Sequence, residues 1–265
     1  MSKHTPILLA LNIALVCSSA QAASPVLLDD QFKLPKGFHI YKAAPPSLTG
    51  GSYVLSFDGA GHLLVGTGET IQRLTDSNQD GLYDKAEMIA EGLGSRGPQG
   101  ILVHDEHLYA VGGDGVQHFT GYPDKVVHQG RLGEPFHTGG DHAAHTLLRG
   151  HDDWIYFVTG DGGGAQDRLH ITEESSPVLR ERNASVFRFN LTGTQWECVS
   201  AGGRNPPNLG MNYLGELFSL DSDMEWHVDV PWYRPVRLNH WAVGADLGWQ
   251  GVGAYPPYYI DTIPG

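Results

Sequence analysis

The chain has 265 residues and a formal charge of −13, from 17 Lys and Arg against 30 Asp and Glu. That length suffices for a large buried core, and that charge leaves no basic surface for phosphates, so binding to nucleic acid or to an acidic membrane is excluded. Gly makes up 35 residues, about 13% against the usual ~7%, with 16 Pro and only 18% charged residues, while six Trp and eleven Tyr are too many for a disordered chain.

The elements begin with a sorting signal. Lys3 and His4 precede an apolar run over residues 7–16, and Ala20-Gln21-Ala22 sets small residues at −3 and −1 before Ala23. This is the pattern of a secretory signal peptide over residues 1–22, too short to span a bilayer. The expected product is periplasmic or secreted, with no direct membrane insertion. Cleavage leaves residues 23–265 at a charge of −14 and removes Cys17, so that Cys198 is alone and an internal disulfide is impossible.

From there one pattern recurs: a Gly/Asp turn, a short apolar strand, a second turn and an alternating strand. It runs over residues 58–66 and 70–74, then 105–111 and 116–119, then 152–158 and 185–189, and a fourth copy starts at 215–220. From Leu63 to Leu108 to Ile155 to Leu217 the steps are 45, 47 and 62 residues. Hairpins at such a period predict the blades of a β-propeller. The one helix-like stretch is residues 84–93. At about 51 residues per blade, residues 23–265 are expected to form four to five blades of an all-β propeller.

Three places carry chemistry. The run from Asp76 to Glu87 fits the twelve-residue calcium loop, with Asp76, Asn78, Asp80, the Leu82 carbonyl, Asp84 and Glu87 as oxygen ligands and Gly81 at the sharp turn. The competing reading is a polar turn between strands. Around His137, Asp141, His142 and His145 lie side chains that suit a general base, a zinc site or simply exposed loop histidines. Arg204 and Asn205, in Gly202-Gly203-Arg204-Asn205-Pro206-Pro207, either hold a planar anionic group or stitch two blades together. A further acidic cluster, Asp221, Asp223 and Glu225, is expected to be solvated.

The run Asp221-Ser222-Asp223-Met224-Glu225-Trp226, with Val230-Pro231-Trp232-Tyr233-Arg234-Pro235 and Gly244-Ala245-Asp246-Leu247-Gly248-Trp249, resembles the planctomycete and verrucomicrobial membrane-bound dehydrogenase propellers. More distantly, Asp141-His142 through Gly160-Asp161 and the Arg204-Asn205-Pro206 turn resemble the soluble quinoprotein glucose and sorbosone dehydrogenases. That resemblance implies a six-bladed propeller type, which at about 51 residues per blade needs about 306, so that residues 23–265 form either an incomplete ring, as expected here, or a smaller one. It also implies pyrroloquinoline quinone (PQQ) with calcium, a sugar or other alcohol as substrate, and an electron-transfer partner. It implies His142 as the general base and Arg204 and Asn205 as cofactor contacts. Pro207 stands where those enzymes place a Gln. That departure favours the alternative, a non-catalytic calcium-stabilised propeller that binds a ligand or protein.

Overall fold

Alternating apolar residues on strands separated by Gly turns bury two faces at once when sheets stack side by side, and this chain stacks four of them. The computed structural model describes residues 28–94, 96–162, 171–179, 183–222 and 236–249. The first blade is β1 (Ser52–Phe57), β2 (Leu63–Thr67), β3 (Thr70–Thr75) and β4 (Lys85–Ala90). The second is β5 (Gly100–His104), β6 (His107–Gly112), β7 (Gly115–Thr120) and β8 (Val127–Leu132). The third is β9 (Ala144–Arg149), β10 (Ile155–Thr159), β11 (Ala184–Phe189) and β12 (Trp196–Gly203), and the fourth has β13 (Gly210–Met211), β14 (Leu217–Ser222) and β15 (Val236–His240). Every neighbouring pair is antiparallel. The expected signal peptide, residues 1–22, lies outside the described residues, among which no helix is long and apolar enough to cross a membrane.

The core lies between blades, and period two decides which gap each side chain fills. On β6, Leu108 and Ala110 join Leu64 and Ile71 of the first blade, while Tyr109 and Val111 join Phe157, Phe187 and Trp196 of the third. On β10, Ile155 and Phe157 face that same gap, whereas Tyr156 and Val158 pack against Leu217 and Trp241 of the fourth blade. Each buried aromatic contributes about 1.5–3 kcal/mol of transfer free energy. Cys198 sits in this core, between the second and third blades. At the two outer blades the apolar faces are exposed: Tyr53, Leu55 and Phe57 on β1, and Leu220, Val236 and Leu238 on the fourth blade.

The hairpins expected from the repeat are the second and third strands of the first three blades, and the fourth copy is β14. One expectation fails: the helix-like residues 84–93 contain β4, paired to β3 from Thr75↔Lys85 to Ile71↔Ala90. Lys85, Ala86, Glu87 and Met88 favour helix, but the strand is outermost and exposed on both sides, so it lost the alternation that marks the inner strands, and pairing with β3 overrides propensity.

Antiparallel pairing sorts the loops onto two faces. Loops before the first strand of a blade and after its second share one face, as Gln99 before β5 shows by bonding Gly139 and Gly140 before β9. The first strands approach closely there. A Cβ on Gly100 would lie 2.7 Å from the Thr146 carbonyl carbon, so only Gly fits. The β1–β2, β3–β4 and β7–β8 turns occupy the opposite face. Buried Asp58 accepts from the Tyr122 hydroxyl at 2.5 Å and the His62 ring at 2.8 Å, tying the first of these turns to the third. Burial pushes the Asp58 carboxyl up, but those donors and the His62 amide outweigh it and hold the pKa down at about 2.

Candidate functional site

The first face gathers residues far apart in sequence. His142 ends the loop before β9, and Asp161 follows β10; their side chains meet with His142 Nδ1 2.5 Å from Asp161 Oδ1. The other oxygen, Asp161 Oδ2, accepts from Trp249 Nε1 at 3.1 Å, and Asp161 N–H donates to the Arg204 carbonyl at 2.7 Å. Asp161 is therefore held from three directions. A carboxylate so placed sets the imidazole tautomer: Nδ1 carries the proton given to Asp161, and Nε2 is left as the acceptor. The His142 side chain is 37% exposed and that of Asp161 15%, so the imidazole reaches solvent while its partner is sheltered.

Two neighbours place the His142 loop. Gln99 clamps it by donating Nε2 to the Gly140 carbonyl at 3.2 Å and accepting the Gly139 N–H on Oε1 at 3.0 Å. His145 opens β9; burial pushes its pKa down, so it stays a neutral ring 3.1 Å from the Asp141 carbonyl. His145 is thus a buried tie, a role outside the three that the sequence left open to these histidines.

Arg204 and Asn205 sit on the same face, at the exit of β12. Asn205 borders the His142 backbone across Gly160, where an added Cβ would lie 2.7 Å from both Asn205 Oδ1 and the His142 carbonyl oxygen. Among the described residues, Asn205 Oδ1 is buried with no hydrogen-bond partner. Arg204 is 6% exposed, its guanidinium donating to Ser222 Oγ at 2.7 Å and lying 5.9 Å from the Trp249 ring centroid. It faces inward, to the fourth blade. Asp221, expected to be solvated, is fully buried, accepting the Arg204 and Asn205 N–H groups at 3.0 and 2.6 Å and Asn239 Nδ2 at 2.8 Å. Strand alternation explains the difference, because Leu217, Ser219 and Asp221 all point inward from β14. Asp223 and Glu225 lie outside the described residues.

Trp249 and Gln99 were missed from sequence. Beyond β15 the chain turns back along the outer edge of β12, with the Leu247 N–H on the Ala201 carbonyl and the Trp249 N–H on the Gly202 carbonyl, at 2.9 and 2.8 Å. That return path puts the indole under Asp161, a placement no local pattern announces.

The acidic turn behaves differently. It joins β3 to β4 on the opposite face, and its polar atoms bond one another: Asp76 accepts the Asp80 and Gly81 N–H groups, Asp80 that of Leu82, and Asp84 accepts from the Ser77 amide and hydroxyl. Glu87, expected as the twelfth-position ligand, lies on β4 with Oε2 2.7 Å from Arg73 Nη2. A strand carries residue 12 away from the turn, where the helix of a helix–loop–helix calcium site would bring it back. Among the described residues no three His, Cys, Asp or Glu side chains come together as a metal-holding group, so the six-ligand cage is not formed.

The described residues form four blades of an all-β propeller. The chain belongs to the family described as Domain of unknown function (DUF7133), whose pattern matches residues 29–239. No curated protein matches it. Among solved structures it is similar to a Thermus thermophilus protein described as an oxidoreductase (glucose dehydrogenase), at 20% identity and TM-score 0.54, over 76% of this chain and 65% of that one. The PQQ-bound aldose sugar dehydrogenase of Streptomyces coelicolor aligns at 18% identity and TM-score 0.51, over 77% and 64%. The calcium structure of the family AA12 carbohydrate-active enzyme of Trichoderma reesei aligns at 16% and 0.58, over 88% and 64%. The chain thus spans under two thirds of the length of these relatives.

Proposed function

We propose that this is an exported quinoprotein-dehydrogenase-like propeller that oxidises a sugar or other alcohol with PQQ and calcium. The observation that carries it is the His142–Asp161 pair backed by Trp249. His142 Nε2 takes the proton of the substrate hydroxyl as the carbon beneath gives up hydride, and Asp161 stabilises the imidazolium that forms. PQQ, when bound, supplies the two-electron acceptor.

The donor set fits such a group in part. Asn205 offers a buried carboxamide oxygen with no partner among the described residues, packed beside Gly160, where no side chain fits. Arg204 supports that turn from below and would reach the group only by leaving Ser222. Calcium belongs to the same reading. The turn with Asp76, Asn78, Asp80, Leu82 and Asp84 would hold it without Glu87, in a structural role, since that turn lies on the face opposite His142. The signal-peptide pattern of residues 1–22 supports a periplasmic or secreted location, and the resemblance to the quinoprotein dehydrogenases supports an electron-transfer partner.

The inward guanidinium of Arg204 favours a second reading, a non-catalytic propeller that binds a ligand or a protein on this face. Adding PQQ and Ca2+ to the purified chain and following dye reduction over a panel of sugars separates the two. Turnover that falls at least about 10²-fold in His142→Ala supports catalysis. Failure to retain PQQ in equilibrium dialysis overturns the catalytic reading.

A further inference from the structure

Beside the His142 loop, on the same face, lies a cleft of about 440 Å³ lined by Leu93, Gly94, Arg96, Gly113 and residues 137–139. Three of its lining residues are glycines with positive φ, +83° at Gly94, +61° at Gly113 and +72° at Gly139, so main chain forms much of its floor. Thr138 is fixed there by its hydroxyl, which donates to the Gly113 carbonyl at 2.6 Å. His137, Thr138 and Gly139 precede His142 on one short loop, and Gln99 pins that loop at Gly139 and Gly140.

The charge is what points to a ligand. Arg73, Arg131, Arg149 and Arg188 each pair with a carboxylate, at Glu87, Asp114, Asp153 and Glu197 respectively. Arg96, exposed at the cleft, has no acidic partner among the described residues, in a chain where acidic residues outnumber basic ones by 30 to 17. The exposed ring of His137 stands on the same wall. A cation left unpaired amid such an acidic surface, over a glycine floor and within one loop of the base, suits a bidentate carboxylate.

We propose that this cleft is a carboxylate subsite, and that the substrate class of the His142 site is an acidic sugar, one carrying a carboxylate in place of a hydroxymethyl group. The inference rests on the catalytic reading for the word substrate, but the binding preference stands apart from it. The ring hydroxyl to be oxidised lies toward His142 and the carboxylate toward Arg96.

Calorimetric titration of the full chain without cofactor, using glucuronate and glucose as matched probes, tests it. Glucuronate is expected to bind at least tenfold more tightly. Arg96→Ala abolishes that preference at an unchanged melting temperature, and Arg96→Lys, which keeps the charge but not the fork, restores part of it. Equal affinity for the two sugars, or a preference that survives Arg96→Ala, overturns the proposal. If glucuronate is preferred but no sugar reduces dye, the catalytic reading falls and the subsite stands. Dye reduction with neutral sugars alongside equal binding has the reverse meaning.

Discussion

The turn at Asp76–Asp84 and the corner at His142 lie on opposite faces of the same arc, and they invert what their sequences announce. The turn satisfies a twelve-residue ligand pattern, yet in the fold its carboxylates bond their own main chain and its last ligand pairs with Arg73. The corner has no comparable local pattern, yet His142, Asp161 and Trp249 make one connected chain of hydrogen bonds across 107 residues of sequence. Local polar groups close on themselves when the turn between two strands is tight. Side chains at the ends of different strands stay available, because their own loops do not satisfy them.

The largest expected effect breaks the corner. Asp161→Asn keeps shape but removes the charge that holds the His142 tautomer and stabilises its protonated form, so dye reduction at saturating sugar should fall on the order of 10²–10⁴-fold with the fold intact. Unchanged turnover would remove His142 from the role of base. An intermediate effect lies on the opposite face. The Asp58 pKa is held near 2, below its ordinary 3.8, so Asp58 stabilises the fold above about pH 4, and that contribution is lost as the pH falls from there toward 2. Asp58→Asn should cost about 2 kcal/mol at neutral pH and flatten the acid limb between pH 4 and 2 in denaturant titrations. The smallest effect sharpens the contrast. Glu87→Gln should leave Ca2+ affinity of the turn unchanged in calorimetry and shift stability by under about 1 kcal/mol, because the Arg73–Glu87 pair is exposed on the glutamate side. A tenfold loss of Ca2+ affinity would return Glu87 to the ligand set.

The repeat was legible because middle strands such as β6 and β10 are buried on both faces and keep their apolar pattern. The outermost strands were not, and β4 reads as helix for the same reason it is exposed. His142 could be nominated from its loop and from a family resemblance, but Gln99 could not, because its clamp on Gly139 and Gly140 joins positions 40 residues apart. Asp221 reads as one of three neighbouring acids, and only its inward register on β14 makes it the anchor of the Arg204–Asn205 turn.

By itself the sequence determined an all-β, acidic, turn-rich chain whose units repeat as blades, since apolar periodicity and Gly/Asp turns are local properties. Only the tertiary structure decided which polar residues act together. Partnership depends on which strand ends share a face, and that follows from antiparallel pairing within blades and close approach of their first strands, neither of which is written in any short stretch of the chain.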